Sequence, residues 1–169
     1  MAVTSFTFVE LFGKQLATAR HLLDKGAEHV GTSGGDAESM LDWRLIDDMH
    51  PLRFQVKVVV NFSRNWPARV AGVEPPAEID DTLDLAGFRA AVADAQTFLA
   101  TLTPEQFDGR DEVPLTQQLG PSMQPTLPAG QWLSGFAATN IAFHLSMTYA
   151  ILRARGVPLG KGDFFAGGL

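Results

Sequence analysis

Apolar residues recur along this chain mostly at helical spacing, in four long runs separated by polar or Pro/Gly-rich segments. In the first run, predicted as a helix over Phe6–His29, Phe8, Val9, Leu11, Phe12, Leu16, Ala19, Leu22 and Leu23 share a face. Glu10, Lys14, Thr18, His21, Asp24 and Glu28 occupy the other, which places His21 in solvent, and Thr4 or Ser5 is the expected N-cap. After the turn Gly31–Gly35, Asp36 caps a short helix, Ala37–Leu45. A second long helix runs from Pro51 to about Gly72, with a stripe of Leu52, Val56, Val59, Trp66 and Val70; Gln55 lies near its edge, able to point inward. Pro67 predicts a kink or an early end near Trp66, and Asp48 is a candidate cap. The third helix is Leu85–Leu102, followed by a fresh helical turn at Thr103-Pro104-Glu105. Gly109–Gly130 breaks the helical period; its four prolines and alternating stretch Val113–Leu119 predict a β-hairpin turning near Gly120-Pro121.

The last run, Gln131–Arg155, is the most apolar. Trp132, Phe136, Phe143, Met147, Ala150, Ile151 and Ala154 form one broad face, and Ile141, Leu145 and Leu152 a second. A helix apolar around most of its circumference is expected to be surrounded by neighbours. Gly156 and Pro158 mark its end. Asn140 and His144 interrupt the apolar arc one turn apart. A buried amide or imidazole left unpaired costs about 1–3 kcal/mol, so each needs a partner. That partner is either a structural hydrogen bond or, for His144, a metal or a proton in transfer. Beyond the helix, Gly160, Lys161, Asp163, Phe164 and Phe165 are expected to fold back over the bundle, burying the aromatics.

Four helices around one core make an all-α, up-and-down four-helix bundle with a small β-hairpin insertion before the last helix, a single domain over 1–169. The 46% hydrophobic content fits a globular chain, and the net charge of −6 argues against a nucleic-acid surface. No apolar stretch reaches the roughly 20 residues of a membrane span, and the first residues lack a signal-peptide pattern. Cysteine is absent, which removes disulfides and thiolate chemistry, so a cytoplasmic location is expected.

Phosphate loops, a GxSxG elbow, an HExxH pair and Glu-x-x-His are all missing. His50 and His144, joined by Asp47 or Asp48, are the residues that could form a three-ligand site for Zn²⁺, Ni²⁺ or Fe²⁺. The expected ligand pocket is Asn140, His144, Gln55 and Met147; the expected metal set is His50, His144 and Asp48.

Two stretches carry a resemblance. Phe143-His144, Tyr149-Ala150-Ile151-Leu152-Arg153, Gly156-Val157-Pro158-Leu159-Gly160-Lys161 and Asp163-Phe164 resemble the terminal signature of a family of unknown function, grouped with the DinB/YfiT-like four-helix bundles. Asp48-Met49-His50-Pro51-Leu52 with Gln55-Val56 resembles its second-helix entry. The resemblance implies a bundle that is commonly dimeric, so a homodimer is expected. In the wider group it implies a divalent metal held by three histidines, one from the second helix and a His-x-x-x-His pair near the end, in S-transferases or metal-dependent hydrolases. Here Thr148 stands one turn after His144 and Asn140 one turn before it, so the pair is missing. The reading from sequence is a small-molecule-binding or dimeric structural protein, with a metal-dependent transferase or hydrolase as the alternative.

Overall fold

Thr4, in extended conformation, starts the first helix, α1 (Ser5–Thr32). Its backbone N–H donates to the Thr7 hydroxyl at 3.1 Å. These features come from a computed structural model, which describes residues 3–168. α1 runs one turn beyond the expected end at His29. Asp36 accepts from the Glu38 N–H and starts a 3-10 turn, Ala37–Asp42, that buries Met40 and Leu41.

The second helix, α2 (Leu52–Ala71), starts without the expected Asp48 cap and ends, as expected, at Gly72. Its N-cap is Pro51, without a side-chain cap, and Asp47 and Asp48 are exposed. The first N–H, of Leu52, is instead satisfied by the Trp43 carbonyl at 2.9 Å. Pro67 does not end the helix, which continues to a left-handed Gly72 (φ 75°). Packing of Trp66 and Val70 in the core outweighs the donor that Pro67 removes.

The third helix, α3 (Leu85–Leu99), starts at Asp84, whose carboxylate accepts from Gly87, and stops a turn short of Leu102. A 3-10 turn, Pro104–Phe107, follows as predicted. The hairpin is also present: β1 (Pro114–Thr116) pairs antiparallel with β2 (Thr126–Pro128), and Gly120 supplies a positive φ in the connection. Its base is tied to α1 where the Ser5 hydroxyl donates to Asp111, and its β1 strand is held where the Trp132 indole donates to Leu115 O at 2.8 Å.

The last helix, α4 (residues 129–154), begins with one turn, Ala129–Gln131, passes through a π-helical stretch, Trp132–Ala137, and becomes α-helical over Ala138–Ala154. The wide winding lies where Trp132 stacks on Trp66, with ring centres 4.7 Å apart and planes 15° apart. Phe136 meets both rings edge-on. Such contacts add about 0.5–1.5 kcal/mol each beyond burial.

α1 and α2 pack on each other, and each packs on α3 and α4; α3 and α4 do not form a packed pair. α4 therefore has neighbours on two sides rather than all round. Ile141, Leu145, Ile151 and Leu152 face inward and are buried. Phe143, expected on the inner face, is 54% exposed, because no helix covers the strip Thr139, Ala142, Phe143 and Ser146.

The tail folds back as expected, but onto α1, and it does not bury both aromatics: Phe164 is half-buried and Phe165 exposed. His21, expected in solvent, bonds Asp163 at 2.7 Å, and the Thr18 hydroxyl accepts from the Gly167 N–H at 3.1 Å. A wheel drawn for α1 alone shows His21 on the polar face; only the returning tail gives it a partner. No helix among the described residues is long and apolar enough to cross a membrane.

Candidate functional site

Gln55 is 3% exposed in the first turns of α2, so its amide must find partners within the protein. Its Nε2 donates to the His50 carbonyl at 3.0 Å. A carbonyl can only accept, so this bond fixes which end of the amide is which. Gln55 Oε1 then faces Nδ1 of His144, on α4, at 2.7 Å. That oxygen too can only accept, which requires Nδ1 to carry the proton. In the neutral ring, Nε2 is left as a lone-pair acceptor. Nε2 has no hydrogen-bond partner among the described residues, and it is not sealed from solvent. One backbone carbonyl has thereby selected the tautomer of a side chain on another helix.

Aromatic rings surround this imidazole. Phe54 meets it edge-on, with ring centres 6.0 Å apart, and Phe143 does so at 5.2 Å. His50 lies flat on Phe54, 3.8 Å between centres and 13° between planes. Lys57 Nζ stands 4.7 Å from the Phe54 ring centre and pairs with Asp81 at 3.3 Å. Burial, and then the nearby His50, hold the His144 pKa below its ordinary value, so the ring is neutral at neutral pH. Half-buried His144, exposed His50 and exposed Phe143 together make an open aromatic shelf.

The other residues singled out from sequence fall around this centre in different ways. Half-buried Asn140 donates to the Phe136 carbonyl at 2.8 Å, where π winding gives way to α. Met147 is half-buried one turn beyond His144. Thr148 is fully buried, and its hydroxyl donates to the His144 carbonyl at 2.9 Å. Asp48 lies exposed in the turn before Pro51. Among the described residues, no three His, Asp or Glu side chains gather into a group able to hold a metal, so His50, His144 and Asp48 do not form one set. A surface cavity of about 420 Å³ lies between α1 and the tail and one of about 280 Å³ between α4 and the tail, and neither is lined by His144, Gln55, Asn140 or Met147.

Phe54 escaped the sequence reading: His50, four residues earlier, lies before the helix, so helical spacing gave no signal for their ring contact. Phe143 was assigned to the core, and its place beside His144 depends on an uncovered strip that no local pattern reveals.

The bundle resembles known proteins. A crystal structure of a DinB family member protein from Shewanella denitrificans superposes with a TM-score of 0.86, at 26% sequence identity, covering 95% of this chain and 90% of that one. Among curated proteins, none matches the sequence. Residues 6–165, nearly the whole chain, match the family described as a domain of unknown function, DUF1993. The chain belongs to that family and has a DinB-like helical fold.

Proposed function

We propose that this protein binds a small molecule at the His144 shelf, accepting a proton donor of the ligand on Nε2 while the aromatic rings hold its body. The observation that carries this reading is the 2.7 Å contact between His144 Nδ1 and a Gln55 amide whose orientation is fixed by His50 O. It presents a neutral, pre-oriented acceptor beside Phe54, His50 and Phe143. Sites of this kind combine apolar surface with a few placed polar groups. The chemical class that fits is a planar or aromatic molecule with one O–H or N–H group.

Phenol serves as the probe and anisole, which lacks the donor, as its control. NMR titration should show saturable phenol binding that shifts His144, and anisole should bind about tenfold more weakly, equivalent to roughly 1.4 kcal/mol. Equal binding of the two would remove Nε2 from the proposal. Protonation of Nε2 turns the acceptor into a donor, so phenol binding should weaken as pH falls below the ordinary histidine range.

A further inference from the structure

The wider bundle group implies a divalent metal centre made by one histidine of the second helix and a pair spaced by one turn near the end. Whether this chain fits such a centre can be asked of the side chains that His144 would need beside it. On α2, the buried residue facing it is Gln55, whose two polar ends are committed to His50 O and to His144 Nδ1. One turn before it, the Asn140 amide is held by Phe136 O. One turn after it, the Thr148 hydroxyl is buried and held by the carbonyl of His144 itself. His50, the remaining imidazole nearby, lies flat on Phe54. Positions 55, 140 and 148 thus carry neutral amides or a hydroxyl already engaged in protein hydrogen bonds, and none of the three is an anionic or imidazole ligand. Divalent zinc, nickel and iron favour imidazole, thiolate and carboxylate donors over primary amides and hydroxyls, and a single imidazole does not retain them.

We infer that in this chain Gln55, Asn140 and Thr148 convert the DinB-like metal position into a metal-free hydrogen-bond site, in which a ligand's own O–H or N–H group takes the place of the cation at His144 Nε2. The second half of this statement rests on the binding reading above; the first half stands on the side chains alone.

The Gln55 contact is similar to one found at metal centres, where the ligand histidine gives its other N–H to an oxygen acceptor. Here the acceptor comes from the helix that would have to supply a second ligand. Orienting the ring and ligating a metal beside it are alternative uses of position 55.

Zinc titration of the full chain by calorimetry, with elemental analysis of the purified protein, tests the first half. The expected result is no stoichiometric zinc and a titration unchanged by His144→Ala. One tightly held metal per chain, lost in His144→Ala, would overturn the inference while leaving the phenol experiment to judge the binding reading separately. A gain-of-ligand variant supplies the converse. Gln55→His with Asn140→His restores a second-helix imidazole and a His-x-x-x-His pair through residues 140 and 144, leaving fully buried Thr148 untouched. Circular dichroism first establishes that the variant is folded. A folded variant that gains one zinc per chain supports the assignment of the loss to these positions; a folded variant that takes up no zinc contradicts it.

Discussion

His144 changes its affinity for a proton when the chain folds. Its pKa is lowered in the fold, so between the ordinary histidine value and the lowered one the unfolded chain binds the extra proton and the folded chain does not. Stability from this group is therefore fully present above about pH 6.5 and is lost as pH falls through the folded value. Replacing His144 with Gln should flatten the dependence of denaturant stability on pH between about 7 and 5. An unchanged slope would show that other groups set it. Gln55→Leu should cost about 1–3 kcal/mol, because it leaves the His50 carbonyl and His144 Nδ1 without partners. Gln55→Glu should reverse the direction of the His144 shift, since a carboxylate beside Nδ1–H favours the imidazolium. NMR titration of the ring distinguishes the two variants. The sequence put Gln55 and His144 in one expected pocket, as polar residues at the edge or centre of apolar faces. It could not give the bond between them, because that depends on how α2 and α4 are rotated about their axes.

The elements show where local rules suffice and where packing overrides them. Thr4, Asp36, Asp84, Gly72 and Gly156 all act at the ends of helical elements, and most of those boundaries follow from them. Pro67 is the exception within α2: its local cost is real, yet the aromatic packing around Trp66 carries the helix through it. The π winding in α4 had no local signal, and it coincides with the stacked pair Trp66 and Trp132. The tail is held on α1 by Thr18, His21 and a close approach of Gly167. A Cβ at position 167 would collide with the Lys14 carbonyl oxygen, whereas one at Gly162 would meet nothing within 4 Å. Gly167→Ala should therefore lower the melting temperature, by about 2–4 °C for each kcal/mol lost, and Gly162→Ala should leave it within experimental error. Equal melting of both variants would mean that the tail contributes no stability.

For the whole molecule, the arrangement of helices explains both what was legible and what was not. Apolar periodicity was enough for an all-α bundle with a hairpin before the last helix, and the chain is mostly helical with a two-stranded sheet inserted there. Periodicity alone suggested a last helix enclosed on all sides. Instead, α3 and α4 lie without mutual packing while α1 and α2 touch both, so the outer strip of α4 stays open and carries Phe143 to the surface. The close seam is elsewhere: at Gly26 of α1 an added Cβ would lie 2.8 Å from Leu152 of α4 and 2.9 Å from the Met40 sulfur. Gly26→Ala should accordingly destabilise the bundle by about 1–3 kcal/mol through overpacking, read by chemical denaturation. The same α2–α4 packing that buries Gln55 presents His144 at the edge of the open strip, which joins the architecture to the proposed chemistry.

Long-range ¹⁵N–¹H NMR of the labelled protein at neutral pH tests that connection most directly, by reporting which nitrogen of His144 bears the proton. The expected result is a neutral ring protonated at Nδ1, with Nε2 showing the shift of an unprotonated nitrogen and the ring titrating below the ordinary histidine value. A ring protonated at Nε2, or one already charged at neutral pH, would contradict it.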